Sequence, residues 1–216
     1  MPVTKIVVIG DSLTTQSCWR AALWQTMNEK VAGRFDFVGS HASDFGCAPS
    51  GYDQDSEASD GSLLSDADAK LSELAAAMMI YKPDVALVHY GTDDVRNGVA
   101  TNDIVDVHTR LVHSLRAANP DVTILVAKLS PVNVTSKTCS GCTCDACAMG
   151  IFDLNQVLGG AWWRAGGVTM VDQVFPFDVD ADTRDGVYPN DSGSAKIAAN
   201  WAKALARLPQ FAFWFR

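Results

Sequence analysis

Lys5-Ile6-Val7-Val8-Ile9-Gly10-Asp11-Ser12-Leu13-Thr14 is a short β-branched run that stops at a glycine, with a serine just beyond. Such a run reads as a buried strand. In an open parallel sheet, ligands bind outside the carboxyl ends of the strands, so Ser12 stands where chemistry is expected. A simple strand-to-helix turn, with Asp11 or Ser12 capping the next helix, accounts for the same residues. Similar runs recur at 34–38, 84–90, 122–127 and 168–171, and helical patterns fill the gaps at 17–31, 63–80, 102–119, 152–164 and 192–207. Strand and helix alternate throughout, which predicts an α/β/α sandwich with a five-stranded parallel sheet, flavodoxin-like in order.

At 216 residues the chain reads as one domain, 1–216, large enough to bury a core without staples. A net charge of -8 argues against a nucleic-acid partner, which requires a basic surface. No apolar run is long enough to span a membrane. An uncharged ligand suits the acidic balance. Six cysteines and two glycosylation sequons, at Asn133 and Asn190, lean toward an oxidising compartment. The expectation is a secreted protein whose signal peptide is absent from this sequence.

The chain carries its polar residues on three sheet-end loops: Gly10-Asp11-Ser12, Gly91-Thr92-Asp93-Asp94, and Asp185-Gly186-Val187-Tyr188-Pro189-Asn190-Asp191. A parallel sheet brings such loops to one rim. Gly10-Asp11-Ser12-Leu13 resembles the first signature block of the GDSL (SGNH) hydrolases. Cys18-Trp19-Arg20 with Leu23-Trp24, Asp36-Phe37-Val38-Gly39-Ser40, Gly46-Cys47, residues 85–92 and Asp185-Gly186-Val187 with Pro189-Asn190-Asp191 extend the match. In that order and spacing they resemble carbohydrate esterase family 3, whose members are chiefly acetylxylan esterases. The resemblance implies Ser12 as nucleophile and its own N–H as an oxyanion donor. It implies Gly61 as a second donor, Asp185 as the acid that orients the base, and a disulfide between Cys18 and Cys47. Acetylated polysaccharide is the implied partner, and no metal or cofactor is implied.

Three blocks depart from the family pattern; in the second, Ser56, Ala58 and Ser59 stand where the family has His, Gly and His. The family's oxyanion asparagine is Asp93 here, and an ionised carboxylate accepts hydrogen bonds where a donor is needed. The family's general-base histidine is Tyr188, and a phenol titrating near ~10 is a poor base at neutral pH. Of the four histidines, His89 lies inside a strand, and His108 and His113 lie on a helix. His41 alone opens a loop near the rim and is the candidate replacement base.

Cys139, Cys142, Cys144 and Cys147 form a C-x₂-C-x-C-x₂-C run. Four-cysteine zinc sites usually separate their pairs by many residues, so two local disulfides are favoured. Asp178, Asp180 and Asp182 lack the glycine and distal glutamate of a calcium loop and read as a solvated turn. Trp162, Trp163 and Trp214 are candidate stacking platforms, although tryptophans more often bury their rings. The apolar tail 211–215 is expected to pack on the body of the domain or on a partner chain.

The expected function is that of a carbohydrate-esterase-like protein with a degenerate serine site, retained to bind polysaccharide. An active ester hydrolase with an altered base (Tyr188, His41 or the substrate itself) is one alternative. A non-catalytic extracellular interaction domain is the other.

Overall fold

A computed structural model of the chain describes residues 2–60, 67–133, 143–160 and 166–215. The chain begins with β1 (Thr4–Gly10), a one-turn α1 (Ser12–Thr15), α2 (Trp19–Val31) and β2 (Phe35–Val38). Then come β3 (His41–Ala42), β4 (Asp55–Ala58), α3 (Ala67–Tyr81) and β5 (Val85–His89). The second half runs through α4 (Thr92–Arg96), α5 (Thr101–Ala118), β6 (Thr123–Lys128) and α6 (Cys144–Leu158). It closes with β7 (Val168–Asp172), the short α7 (Val179–Asp182) and α8 (Asp191–Leu205).

The sheet has the order β3-β4-β1-β5-β6-β7, with β2 also pairing to β1. Every pairing is parallel except β3 with β4. The five predicted strands are all present, but the sheet has seven strands rather than five. The two additions lie in the stretch 41–58, which reads as a loop because Asp55-Ser56-Glu57-Ala58 lacks β-branched residues. Pairing compensates for that poor propensity: Glu57 and Ala58 register with Ile9 and Gly10. The carboxylate of Glu57 takes up the Ser40 N–H and hydroxyl at 2.7 and 2.8 Å.

A second correction concerns α6, which begins at Cys144 rather than near Phe152 because Thr143 caps it, accepting from the Ala146 N–H at 3.3 Å. Cys147 is thereby buried at the helix start and is disulfide-bonded. Cys139, Cys142, Gly61, Trp162 and Trp163 lie outside the described residues.

Val7, Ile9, Ala86, Val88, Ile124 and Val126 face a core made with α3, α5 and α6. Alternate residues Ile6, Val8, Val85, Leu87 and Leu125 face α2 and α8. Central strands buried on both faces explain why their sequences are continuous apolar runs without polar alternation. On the second face the Trp19 and Trp201 rings stack at 6.0 Å, and Phe211 fills the core, so the apolar tail is anchored on the domain through Phe211 while Phe213 stays exposed. Trp214 also packs there, with the Arg34 guanidinium 5.1 Å from its ring centroid.

The stretch between β2 and β4 is held from beneath by Arg20, which is buried. Its guanidinium donates to Gln54 O, Ser43 O, Ser43 Oγ and Ser56 Oγ at 2.6 to 3.3 Å. The expected Cys18–Cys47 disulfide ties the same stretch to the start of α2.

Candidate active site

β1 must end in glycine. A Cβ at residue 10 would lie 2.2 Å from Thr14 Oγ1 and 2.9 Å from the His89 carbonyl. The chain then turns into α1, with Asp11 as its cap and Ser12 as its first residue. Ser12 is 2% exposed, so its hydroxyl sits at the bottom of the rim rather than on it.

Asp11 does more than cap. One oxygen accepts the Leu13 N–H at 3.1 Å. The other accepts the N–H groups of Gly91, Thr92 and Asp93 at 2.9 to 3.2 Å. The start of α4 is therefore clasped to the end of β1. Gly91, at φ 120°, supplies the turn that lets three successive N–H groups converge. Burial, and then the charge of Asp93, push the Asp11 carboxyl up to about 8, against the pull of the backbone donors.

This clasp delivers Asp93 to Ser12. Asp93 Oδ2 accepts the Ser12 N–H at 3.1 Å. Its Oδ1 pairs with Arg96 Nη1 at 2.9 Å, one helical turn away on α4. Asp93 and Arg96 are 4% and 8% exposed, which makes this a buried ion pair. Burial alone would lower the Arg96 pKa. The hydrogen bond that Arg96 donates to the Tyr188 oxygen and the charge of Asp93 outweigh it and hold the group above its ordinary value.

Arg96 was not singled out in the sequence. The only available signal was its i+3 spacing from Asp93, which on a helix puts the two side chains on one face.

The third loop brings Tyr188. Its hydroxyl lies 3.1 Å from Ser12 Oγ and accepts from Arg96 Nη1 at 3.0 Å. Asp185 Oδ1 accepts the backbone N–H groups of Val187 and Tyr188 at 3.0 and 2.9 Å. It shapes the turn that carries the tyrosine and reaches Tyr188 through its backbone, not through its hydroxyl. Arg184 lies over the Tyr188 ring at 5.5 Å and the Phe45 ring at 4.9 Å, and donates to Gln16 O at 2.7 Å.

The structure therefore brings Ser12, Asp93 and Tyr188 together and joins them through Arg96. No histidine bonds to Ser12. His41 is exposed on β3, separated from β1 by β4, so its candidacy as the base is not supported by the geometry. His89 is enclosed by the Trp19 and Trp201 rings at 5.8 and 6.1 Å, and neither of its ring nitrogens has a hydrogen-bond partner. Burial lowers its pKa from 6.5 to about 4. His108 is buried on the packed face of α5 and bonds Ile104 O through Nδ1 at 2.9 Å, while His113 is exposed on the same helix. Among the described residues no group of acidic, histidine or cysteine side chains could hold a metal ion.

Serine attack on an ester needs a base for the hydroxyl proton and donors for the oxygen that becomes negative. Arg96 donates to the phenol oxygen of Tyr188 and so draws off the electron density a base would use. The Ser12 N–H, one of the donors such an oxygen would need, is already bonded to a carboxylate.

The sequence matches the model of the GDSL-like lipase/acylhydrolase family over residues 8–207. No curated protein matches it. Among solved structures, a carbohydrate esterase family 3 protein from Talaromyces cellulolyticus superposes with a TM-score of 0.76 at 30% identity, over 95% of this chain and 97% of that one. An acetyl esterase mutant solved with an acetate ion gives 0.75 at 29% identity, over 95% and 97%. A family 3 carbohydrate esterase from Clostridium thermocellum shares the fold, with a TM-score of 0.66 at 24% identity over 93% and 94%. By sequence and by architecture alike, the chain belongs to the GDSL-like lipase/acylhydrolases, the SGNH hydrolases, and stands close to carbohydrate esterase family 3.

Proposed function

We propose that this chain is a carbohydrate-esterase-fold protein whose serine site is closed by its own side chains. In this reading it binds acetylated polysaccharide outside the cell and does not cleave esters at ordinary esterase rates. One observation carries the reading: the Ser12 N–H is bonded to Asp93 Oδ2 at 3.1 Å, and its hydroxyl meets a tyrosine rather than an imidazole. Loss of one oxyanion donor costs about 10²–10³ in rate. Loss of the base costs on the order of 10⁴. The two do not add in full, yet either is enough to separate this site from a working triad. The carbohydrate partner is supported by the carbohydrate esterase at 30% identity. The Cys18–Cys47 disulfide supports an oxidising compartment.

The test is hydrolysis of an aryl acetate and of acetylated xylan by the protein and by Ser12→Ala. Background rates, equal in the two proteins, support the reading. Turnover at ordinary esterase rates that Ser12→Ala abolishes refutes it. The 3.1 Å contact between Tyr188 and Ser12 favours one other reading, in which the ionised phenol serves as base. That version predicts Ser12-dependent turnover that rises with pH and disappears in Tyr188→Phe.

A further inference from the structure

The outer edge of β7 faces α8 across a groove of about 470 Å³, a volume in the range of small-ligand sites. Asn200 and Lys203 line it from α8, three residues apart on one face, and Arg207 lines it from two residues past the end of the helix. Met170 and Asp172 line it from β7, and Phe175 stands at its mouth. Phe175 is 77% exposed, more than any other large hydrophobic residue described.

The loop that holds this ring is pinned. Asn200 Nδ2 donates to the Phe175 carbonyl at 3.1 Å and to Gln173 Oε1 at 3.2 Å, and the Val174 N–H donates to Asp172 Oδ1 at 2.8 Å. Among the described residues neither Lys203 nor Arg207 pairs with a carboxylate, although acidic residues outnumber basic ones 25 to 17 in the chain. A cation near the C-terminal end of a helix is favoured by the helix dipole. That accounts for one of them. It does not account for two that line the same groove beside an exposed aromatic face.

We propose that this groove is a saccharide subsite, distinct from the Ser12 site, for an oligosaccharide that carries a uronic acid. The proposal rests on the carbohydrate reading above and deepens it to a substrate class. The apolar face of a pyranose ring stacks on Phe175. The uronate meets Lys203 and Arg207, and Asp172 Oδ2 accepts a sugar hydroxyl. The pinned loop lowers the ordering cost of binding.

The test is isothermal titration of the full chain with three probes: a xylo-oligosaccharide bearing one glucuronic acid, the neutral xylo-oligosaccharide of equal length, and free glucuronate. The proposal predicts that the acidic oligosaccharide binds about tenfold tighter than either of the others. It also predicts that Phe175→Ala, and separately Lys203→Ala with Arg207→Ala, each remove about tenfold or more, whereas His113→Ala, at an exposed position on α5, has no effect. All three groove residues are on the surface, so unchanged melting temperatures show that the variants are folded. Equal affinity for acidic and neutral oligosaccharides, or groove variants that bind like the parent, overturns the proposal. Binding lost in Tyr188→Ala and kept in Phe175→Ala places the saccharide in the Ser12 cleft; that overturns the groove and leaves the carbohydrate reading standing.

Discussion

Replacing Arg96 by methionine removes the positive half of the ion pair at the centre of the site. The side chains of Arg96 and Asp93 are 9% and 5% exposed, so the carboxylate left behind has little access to water. It keeps the Ser12 N–H at 3.1 Å and loses its charged partner at 2.9 Å. Breaking a buried pair from one side costs about 3–5 kcal/mol, because the remaining charge is uncompensated. For a domain of 216 residues, each kcal/mol moves the melting temperature by roughly 2–4 °C. Arg96→Met is therefore expected to melt on the order of 10 °C lower. Asp93→Asn alone takes the carboxylate from a guanidinium that keeps its bond to the Tyr188 hydroxyl at 3.0 Å, and costs a similar amount. The double variant removes both charges and recovers most of the loss, because the cost lies in burying one charge without the other. It also gives the Ser12 N–H a neutral neighbour. Thermal and urea unfolding of the two single variants and the double variant measure the cycle. If Arg96→Met costs less than about 1 kcal/mol, in the range of an exposed pair, water reaches these groups and the closed-site account is wrong.

Three further outcomes are expected. The His89 pKa is depressed to about 4, so the stability that comes from its neutral form is complete above 6.5 and is lost as pH falls toward 4 and below. Relative to His89→Leu, the protein is expected to lose about 3 kcal/mol over that range in urea unfolding. The comparison between the two proteins cancels the Asp11 contribution, whose raised pKa gives the opposite slope, with stability falling as pH rises toward 8. Replacing Cys18 and Cys47 by serine opens a loop with a sequence separation of 29 and is expected to cost about 3–4 kcal/mol in unfolding free energy. Arg20→Met leaves four acceptors in and around the stretch 43–56 without their donor, and limited proteolysis is expected to cut there first.

Much of the architecture was legible because the central strands are buried on both faces. Runs such as Val85-Ala86-Leu87-Val88 can satisfy that environment and little else. β4 was not legible, since Asp55-Ser56-Glu57-Ala58 owes its extended form to its ladder with β1 and to polar partners far along the chain. The start of α6 was hidden because its Thr143 cap sits in a stretch whose cysteines read as a loop.

At the site, Ser12, Asp93 and Tyr188 could be found because each occupies a sheet-end loop and matches a signature position. Their bonding could not. Whether Asp93 repels a developing oxyanion from a distance or already occupies the Ser12 N–H depends on Asp11, which clasps the start of α4 through N–H groups common to almost every residue. Arg96 escaped notice for the same reason: an arginine on a short helix signals nothing until its two partners are in place.

The most direct measurement of the central claim is covalent labelling of Ser12 by an organophosphonate, followed by intact mass and peptide mapping. The reagent needs an activated hydroxyl and an open oxyanion site, which are the two features argued to be absent. The account predicts no adduct at Ser12 under conditions that label a working serine esterase to completion. One phosphonyl group per chain, mapped to Ser12, would contradict it.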